Sequence, residues 1–489
     1  MKSCRSIFQS RRLAYRLMIF VCFGILWHSI LLGATNGRAA PSLAFQHQDT
    51  VVFIGDSITH AGSYHGNLAL YYATRLPDRY IRFINAGISG DTAKGTLARF
   101  DKDIAIHKPT RASIMLGMND VNRGIYEHPP LTAAALDEFE QQQLSARQTY
   151  INNMNELLDQ LSDMETDTTI LTPSIYDQTL QAERTNMFGV NDELANYARL
   201  MSRYAKERDL AVIDFQSPML AINQDIQVKD PTLSIVGPDR IHPGETGHFV
   251  MFYQMLTSHF KPSRVASIFV DLNKKTHKMH SCDLSDIEYQ QSKVLNGKSA
   301  DILTMSCALT ALPFPISTSQ HEALKFVPFE DKYNQFSFTV IGLEKGVYGL
   351  SINGKAIDSF ESDELRTGIN LSNYDKAPFF EPARKIREVN QLRVDTEKAL
   401  RDLLQVQFSM LGQYPESMHD SKQGLISTLD AHVEKSRGKP WHRYMRQQAD
   451  NYLQNASNIQ VYRDQARLLN IQMYEIYQAK EYEFVLTKK

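Results

Sequence analysis

A serine stands directly after Gly-Asp in FIGDSITH (53–60), where an apolar run that begins at Val51 ends. Gly-Asp-Ser is also ordinary turn chemistry, so Ser57 reads as a nucleophile only in company. Three further stretches supply that company. INAGISGDTA (84–93) places Gly90 in a tight loop after a strand, LGMND (116–120) offers Asn119 after another, and GPDRIHPG (237–244) sets Asp239 and His242 three apart. Each has a plainer use when taken alone. Gly90 permits a left-handed turn, Asn119 caps a helix, and His242 is a surface histidine. Together they hold every part that acyl transfer needs. A serine hydroxyl is a weak nucleophile and requires a base within hydrogen-bond reach. His242 is placed to take the proton from Ser57 and return it to a leaving alcohol, while Asp239 bonds the other imidazole nitrogen and stabilises the imidazolium. The amides of Ser57 and Gly90 and the side-chain amide of Asn119 offer three donors to the oxyanion of a tetrahedral intermediate.

Such residues need a frame that brings them to one rim. Between about Thr50 and Phe260, five short β-rich runs alternate with helical stretches: 51–57, 80–87, 111–117, 167–174 and 210–215. Their nearly continuous apolar character is that of strands buried on both faces. A helix is expected over 146–162, where Tyr150, Ile151, Met154, Leu157, Leu158 and Leu161 share one stripe. Repeated β-α units imply a parallel sheet with helices on both faces, and ligands bind such sheets beyond the carboxyl ends of the strands. Ser57, Gly90 and Asn119 all fall there.

The four stretches, in this order, resemble the blocks of the SGNH (GDSL-type) esterase and lipase family: GDSIT, AGISGDT, GMND and DRIHP. The resemblance covers about residues 50 to 260. It implies a flavodoxin-like three-layer α/β/α domain with a five-stranded parallel sheet, an ester hydrolase activity and no cofactor or metal. By this match Ser57 is the nucleophile, Gly90 and Asn119 are oxyanion donors with the Ser57 amide, Asp239 is the orienting acid and His242 the base. The G-x-S-x-G elbow of α/β-hydrolases is absent, as are HExxH, P-loop and dinucleotide fingerprints.

Substrate identity must come from loops over the rim. Segments 58–66, 118–135 and 174–192 carry His60, Tyr64, Asn122, Arg123, Tyr126, Tyr176 and Asp177. Of these, His60, Tyr64, Arg123 and Tyr176 are the candidate substrate-binding residues. This polar and aromatic mixture suits a hydroxylated substrate such as an O-acetylated sugar better than a long acyl chain. The competing readings are a short-chain lipase or thioesterase and, in another class, a non-catalytic carbohydrate-binding or scaffold protein.

At 489 residues the chain exceeds one core, and it divides into 1–44, 45–262, 263–375 and 376–489. Residues 1–40 carry six Lys or Arg and no Asp or Glu, and an apolar run spans Leu17 to Ala34. This is the form of a secretory signal peptide, with small residues for cleavage at Ser42 and Ala44; uncleaved, it would be a membrane anchor. A secreted or periplasmic protein without lasting membrane insertion is the expectation. Loss of those six charges takes the net from −2 to −8, which leaves no electrostatic footprint for nucleic acid. Only Cys282 and Cys307 remain in the mature chain, as a disulfide or as two buried thiols. After Lys261 the pattern predicts a small β-rich region with a hairpin over 336–357, turning at Glu344-Lys345-Gly346. Long helices are expected from Pro382 to about Leu411 and from about Arg443 to Glu483, as a packed pair or a coiled-coil partner interface.

Overall fold

The computed structural model describes residues 43–128, 132–295, 298–477 and 479–489; the N-terminal segment read as a signal peptide lies outside them. Five strands form one parallel sheet: β1 Thr50–Gly55, β2 Arg82–Gly87, β3 Arg111–Met115, β4 Asp167–Leu171 and β5 Ala211–Ile213. Their order is β2-β1-β3-β4-β5. The chain therefore leaves β1 to one side for β2 and returns to the other for β3, and a cleft opens at that reversal. Alternation along β1 sends its side chains to two apolar layers. Val52 and Ile54 join a core with Tyr150, Leu157, Leu194 and Met201. Phe53 stacks instead on His65 and Phe83.

Helices fill both layers: α1 Ser57–His60, α2 Ser63–Arg75, α3 Ala93–Ala98, α4 Ala133–Asp163, α5 Val190–Glu207, α6 Gln216–Lys229 and α7 Glu245–His259. The six-residue stripe expected over 146–162 is the buried face of α4. That helix starts earlier than expected, at Ala133, where Thr132 caps it by accepting from the amide of Ala135. Its exposed first turns carry no apolar period, so the stripe alone marked only the packed part.

The region after Lys261 departs from expectation in two places. Strands β6 Ala266–Asp271, β7 Thr276–His280, β8 Cys282–Leu295, β9 Lys298–Leu309, β10 Phe336–Ile341, β11 Val347–Ile352, β12 Lys355–Glu361, β13 Ile369–Asn370 and β14 Lys480–Lys488 build two sheets. Their orders are β13-β10-β6-β7 and β12-β11-β14-β9-β8. β10 and β11 belong to different sheets, so the 336–357 hairpin does not form. The hairpin is β11–β12, turning at Asn353-Gly354 with φ of 48° and 74°. Both central residues are left-handed, the demand of a type I′ turn that Asn-Gly meets. The second helical stretch also ends early. Tyr482, Phe484 and Leu486 are buried in alternation, and this period of two makes 480–488 a strand inside the five-stranded sheet. Cys282 and Cys307 are buried free thiols on β8 and β9.

Helices α8 Phe380–Gln405, α9 Lys422–Glu434, α10 His442–Asn455 and α11 Ile459–Glu475 follow. They are not a free-standing pair, since Ala44–Lys489 forms one compact unit. α8 docks on α2 where side chains are missing: a Cβ on Gly66 would come within 2.8 Å of Val394. Asn390 fixes the contact by donating to Gly66 O at 3.0 Å. A buried ion cluster ties α8 to the segment that follows α3. Arg401 holds both Asp103 oxygens, at 2.7 and 2.6 Å, and Arg99 binds the same carboxylate.

Candidate active site

β1 ends at Gly55, and the chain turns at once into α1. Asp56 caps that turn, its carboxylate accepting from the amide of Ile58 at 3.0 Å. Burial pushes the Asp56 carboxyl up to about 6. Ser57 is the first residue of α1, so its hydroxyl sits half-exposed at the strand's carboxyl end. Its Oγ lies 2.7 Å from His242 Nε2, and His242 Nδ1 lies 2.5 Å from Asp239 Oδ2. The other Asp239 oxygen accepts from the amides of Ile241 and His242. Burial works against the Asp239 charge, but these bonds and the His242 side chain outweigh it and hold the carboxyl well below the usual carboxylate range. Asp239 therefore stays ionised beside the imidazole, with a second oxygen that locks its orientation.

Arg240, between the acid and the base, keeps this turn in place. It is buried at positive φ, and its guanidinium donates to the backbone carbonyls of Asp177, Leu180 and Arg184 at 3.0, 2.7 and 3.0 Å. Its role was not foreseen, because nothing in D-x-x-H marks the residue between.

The two other residues expected as oxyanion donors line the same cleft as Ser57. Gly90 follows β2 at φ +80°, exposed, with nothing within 4 Å of where a side chain would stand. The Asn119 amide is fixed at both ends: Nδ2 donates to Asp91 O at 2.9 Å, and Oδ1 accepts from Arg123 at 3.3 Å. One Nδ2 hydrogen is left over. Ser57, Gly90, Asn119, Asp239 and His242 are thus gathered at one rim from four separate loops.

A cavity of about 770 Å³ opens on Ser57, Gly90, Asn119 and His242. Arg123 and His60 line it, as expected of substrate contacts, although His60 is only 2% exposed. Tyr64 and Tyr176 do not. Tyr64 is buried among Phe53, Phe215 and His248, because segment 58–66 folds inward as α1 and the start of α2. Tyr176 is buried too, its hydroxyl accepting from the amide of Met187 at 2.9 Å. Asp177 serves the loop itself by accepting from Asn223, Gln227 and Ser234. Part of the 118–135 segment, residues 129–131, lies outside the described residues.

The opposite wall of the cavity is built by residues of the C-terminal helices that no local motif marks. Lys398, Asp402 and Gln405 come from α8, and Trp441, Tyr444 and Gln448 from the start and first turns of α10. Their spacing on α8, four and then three residues, puts one polar stripe on one face; in the sequence it is indistinguishable from a solvated face.

Residues 53–249 match the GDSL-like Lipase/Acylhydrolase family. The solved structure of a gut microbial diltiazem-metabolizing enzyme is 30% identical and superposes with a TM-score of 0.80, over 91% of this chain and 98% of that one. The chain belongs to the SGNH (GDSL-type) esterase and lipase family. It is similar to an acetylxylan esterase of Geobacillus stearothermophilus, 27% identical over 220 residues that cover 42% of this chain and 90% of the esterase. Esterase TesA of Pseudomonas aeruginosa is 40% identical over 80 residues, 16% of this chain and 40% of that protein. The protein is an SGNH ester hydrolase, which sets aside the scaffold reading. Its superposition on the diltiazem-metabolizing enzyme extends well beyond the SGNH domain, so the architecture after Lys261 is shared with that enzyme.

Proposed function

We propose that the chain hydrolyses O-acetyl esters of carbohydrates through an acyl-enzyme on Ser57. The observation that carries the chemistry is the continuous Ser57–His242–Asp239 chain, 2.7 and 2.5 Å, opening onto the cavity beside Gly90 and Asn119. Ser57 Oγ attacks the ester carbonyl carbon while His242 Nε2 takes its proton. The oxyanion of the tetrahedral intermediate accepts from the amides of Ser57 and Gly90 and from the spare Nδ2 hydrogen of Asn119. Collapse breaks the bond to the alcohol oxygen, which leaves with the proton from His242. A water then attacks the acyl-serine, giving its proton to the same nitrogen, and acetate departs as Ser57 regains its hydrogen. Asp239 remains a carboxylate throughout and stabilises the imidazolium at each step.

The wall facing this machinery supports the sugar reading. Trp441 and Tyr444 are 53% and 38% exposed, and large aromatic surface beside the amides of Gln413 and Gln448 suits a ring with apolar faces and hydroxyl edges. The likeness to an acetylxylan esterase points the same way. Ser57→Ala should abolish hydrolysis of both nitrophenyl acetate and acetylated xylo-oligosaccharides. Trp441→Ala should raise KM for the oligosaccharide while sparing the small ester. A clear preference for long-chain nitrophenyl esters would replace the sugar by a lipid acyl chain.

The basic, apolar residues 1–34 support export to a secreted or periplasmic location. Mass spectrometry should then find a new N-terminus between about Ala34 and Ala44, whereas an intact N-terminus in the membrane fraction would support an anchor. Among the described residues no helix is long and apolar enough to cross a membrane.

A further inference from the structure

Helix α8 meets the loop after β2 through polar side chains. Arg401 Nε donates to Gly87 O at 2.8 Å, and Gln405 Nε2 donates to Ser89 O at 3.3 Å. Asp402 Oδ1 stands 3.1 Å from His60 Nε2, off the line of a straight hydrogen bond. Lys398 steadies the other Asp402 oxygen at 3.0 Å. On its far side His60 Nδ1 accepts from the backbone amide of Ser89 at 3.1 Å and lies 3.0 Å from the Ser89 hydroxyl.

These contacts determine a tautomer. A ring nitrogen that accepts an amide N–H must present a lone pair, so neutral His60 carries its proton on Nε2, facing Asp402. Burial, against the opposing pull of Asp402, lowers the pKa of His60 and keeps the ring neutral. Both ring nitrogens are thereby committed, which argues against His60 as a direct substrate ligand.

Ser89 immediately precedes Gly90. Its carbonyl and the Gly90 N–H belong to one planar trans peptide and point in opposite directions. The bond from Gln405 to that carbonyl therefore also fixes where the Gly90 N–H is aimed. His60 holds the amide on the other side of Ser89, and Tyr444 holds Gln405 by donating to its Oε1 at 2.8 Å. At a glycine with φ +80° no side chain opposes rotation, so the aim must be set from outside.

We propose that Asp402, His60 and Gln405 are positioning residues for the oxyanion site, through which the C-terminal helices preset the Ser89–Gly90 peptide. The inference rests on Gly90 acting as an oxyanion donor, as in the function proposed above.

The test uses the full-length chain and nitrophenyl acetate, with rates normalised to active sites titrated by a phosphonate. Asp402→Ala and Gln405→Leu should each lower kcat about tenfold, less than outright loss of an oxyanion donor, with KM changed less than about twofold. Asp402→Asn keeps an oxygen facing Nε2–H and should restore most of the rate. Affinity for a boronic acid, whose tetrahedral adduct on Ser57 fills the oxyanion site, should fall with kcat/KM. Unchanged kcat in both Asp402→Ala and Gln405→Leu overturns the proposal. So does a loss that Asp402→Asn shares in full, or one that leaves boronate affinity intact. Ser57→Ala separates the two readings. If it is inactive while Asp402→Ala is not impaired, only the positioning role falls; if it stays active, the acyl-enzyme reading falls first.

Discussion

Asn119 shows at the scale of one residue how a polar side chain is held in a single orientation. With Oδ1 on Arg123 and one Nδ2 hydrogen on Asp91 O, its amide has no freedom to flip, and the remaining hydrogen is the one an oxyanion would meet. Asn119→Ala should lower kcat about 10²- to 10³-fold with little change in KM. A loss confined to KM would make Asn119 a ground-state substrate ligand instead. Asp239→Asn should cost less than His242→Ala or as much, since it removes orientation and charge but not the base; a larger loss would contradict that division. The five residues at the rim were legible because Gly-Asp-Ser, a glycine loop, Asn after a strand and D-x-x-H each leave a short local trace. Tyr64 and Tyr176 were misjudged because a tyrosine in a polar segment looks alike whether it faces a cleft or packs under it. Asp402 and Gln405 left no trace, as their partners lie more than 300 positions away.

Among the elements, α8 carries the most unexpected burden. Arg401 is 1% exposed and is shared between Asp103 and the carbonyl of Gly87. Arg401→Met would leave Asp103 with Arg99 alone and a buried carbonyl unpaired. Breaking a buried pair from one side costs about 3–5 kcal/mol, and the retained Arg99 places this change near the lower end. Urea denaturation checks it; a loss under about 1 kcal/mol would mean the cluster is not stabilising. The five sheet strands were readable from apolar runs, and α4 from its stripe. The hairpin was misplaced because 336–357 alternates throughout, and alternation does not name the partner strand. Asn353-Gly354 was the better signal, since left-handed φ at both central residues is a local demand. The helical pattern expected to Glu483 overruns into strand β14, where Tyr482, Phe484 and Leu486 keep a period of two.

The whole molecule behaves as one folding unit on this account. Phe249 and Phe252 of α7 pack on Phe314 and Phe329 from beyond Lys261, and Leu400 and Leu404 cover Ile88. A fragment of residues 45–262 would bare these aromatic rings and strand Asp103 without Arg401, so it should be insoluble or aggregate on expression. A soluble fragment with full activity on nitrophenyl acetate would contradict both this packing and the positioning role of α8. Acid should also unfold the chain. Burial lowers His65 to about 3, His248 to about 4 and His259 to about 3, so on unfolding below about pH 6.5 they take up protons. Stability is lost as pH falls through that window. Asp56 and Asp120, raised by burial to about 6 and about 7, work in the opposite sense because they are protonated when folded. Near pH 5.5 these five groups leave a net uptake of about one proton, or roughly 1.4 kcal/mol per pH unit. Thermal melts between pH 7 and 5 should show Tm falling; a rise would mean the carboxyls dominate.

The most direct test of the central claim is to catch the acyl group. The enzyme is mixed with nitrophenyl acetate, quenched in acid during the first turnovers and mapped by peptide mass spectrometry. An acetyl group on Ser57, absent from Ser57→Ala, is the result expected. An acetyl group on another residue, or turnover by Ser57→Ala at the wild-type rate, would contradict it.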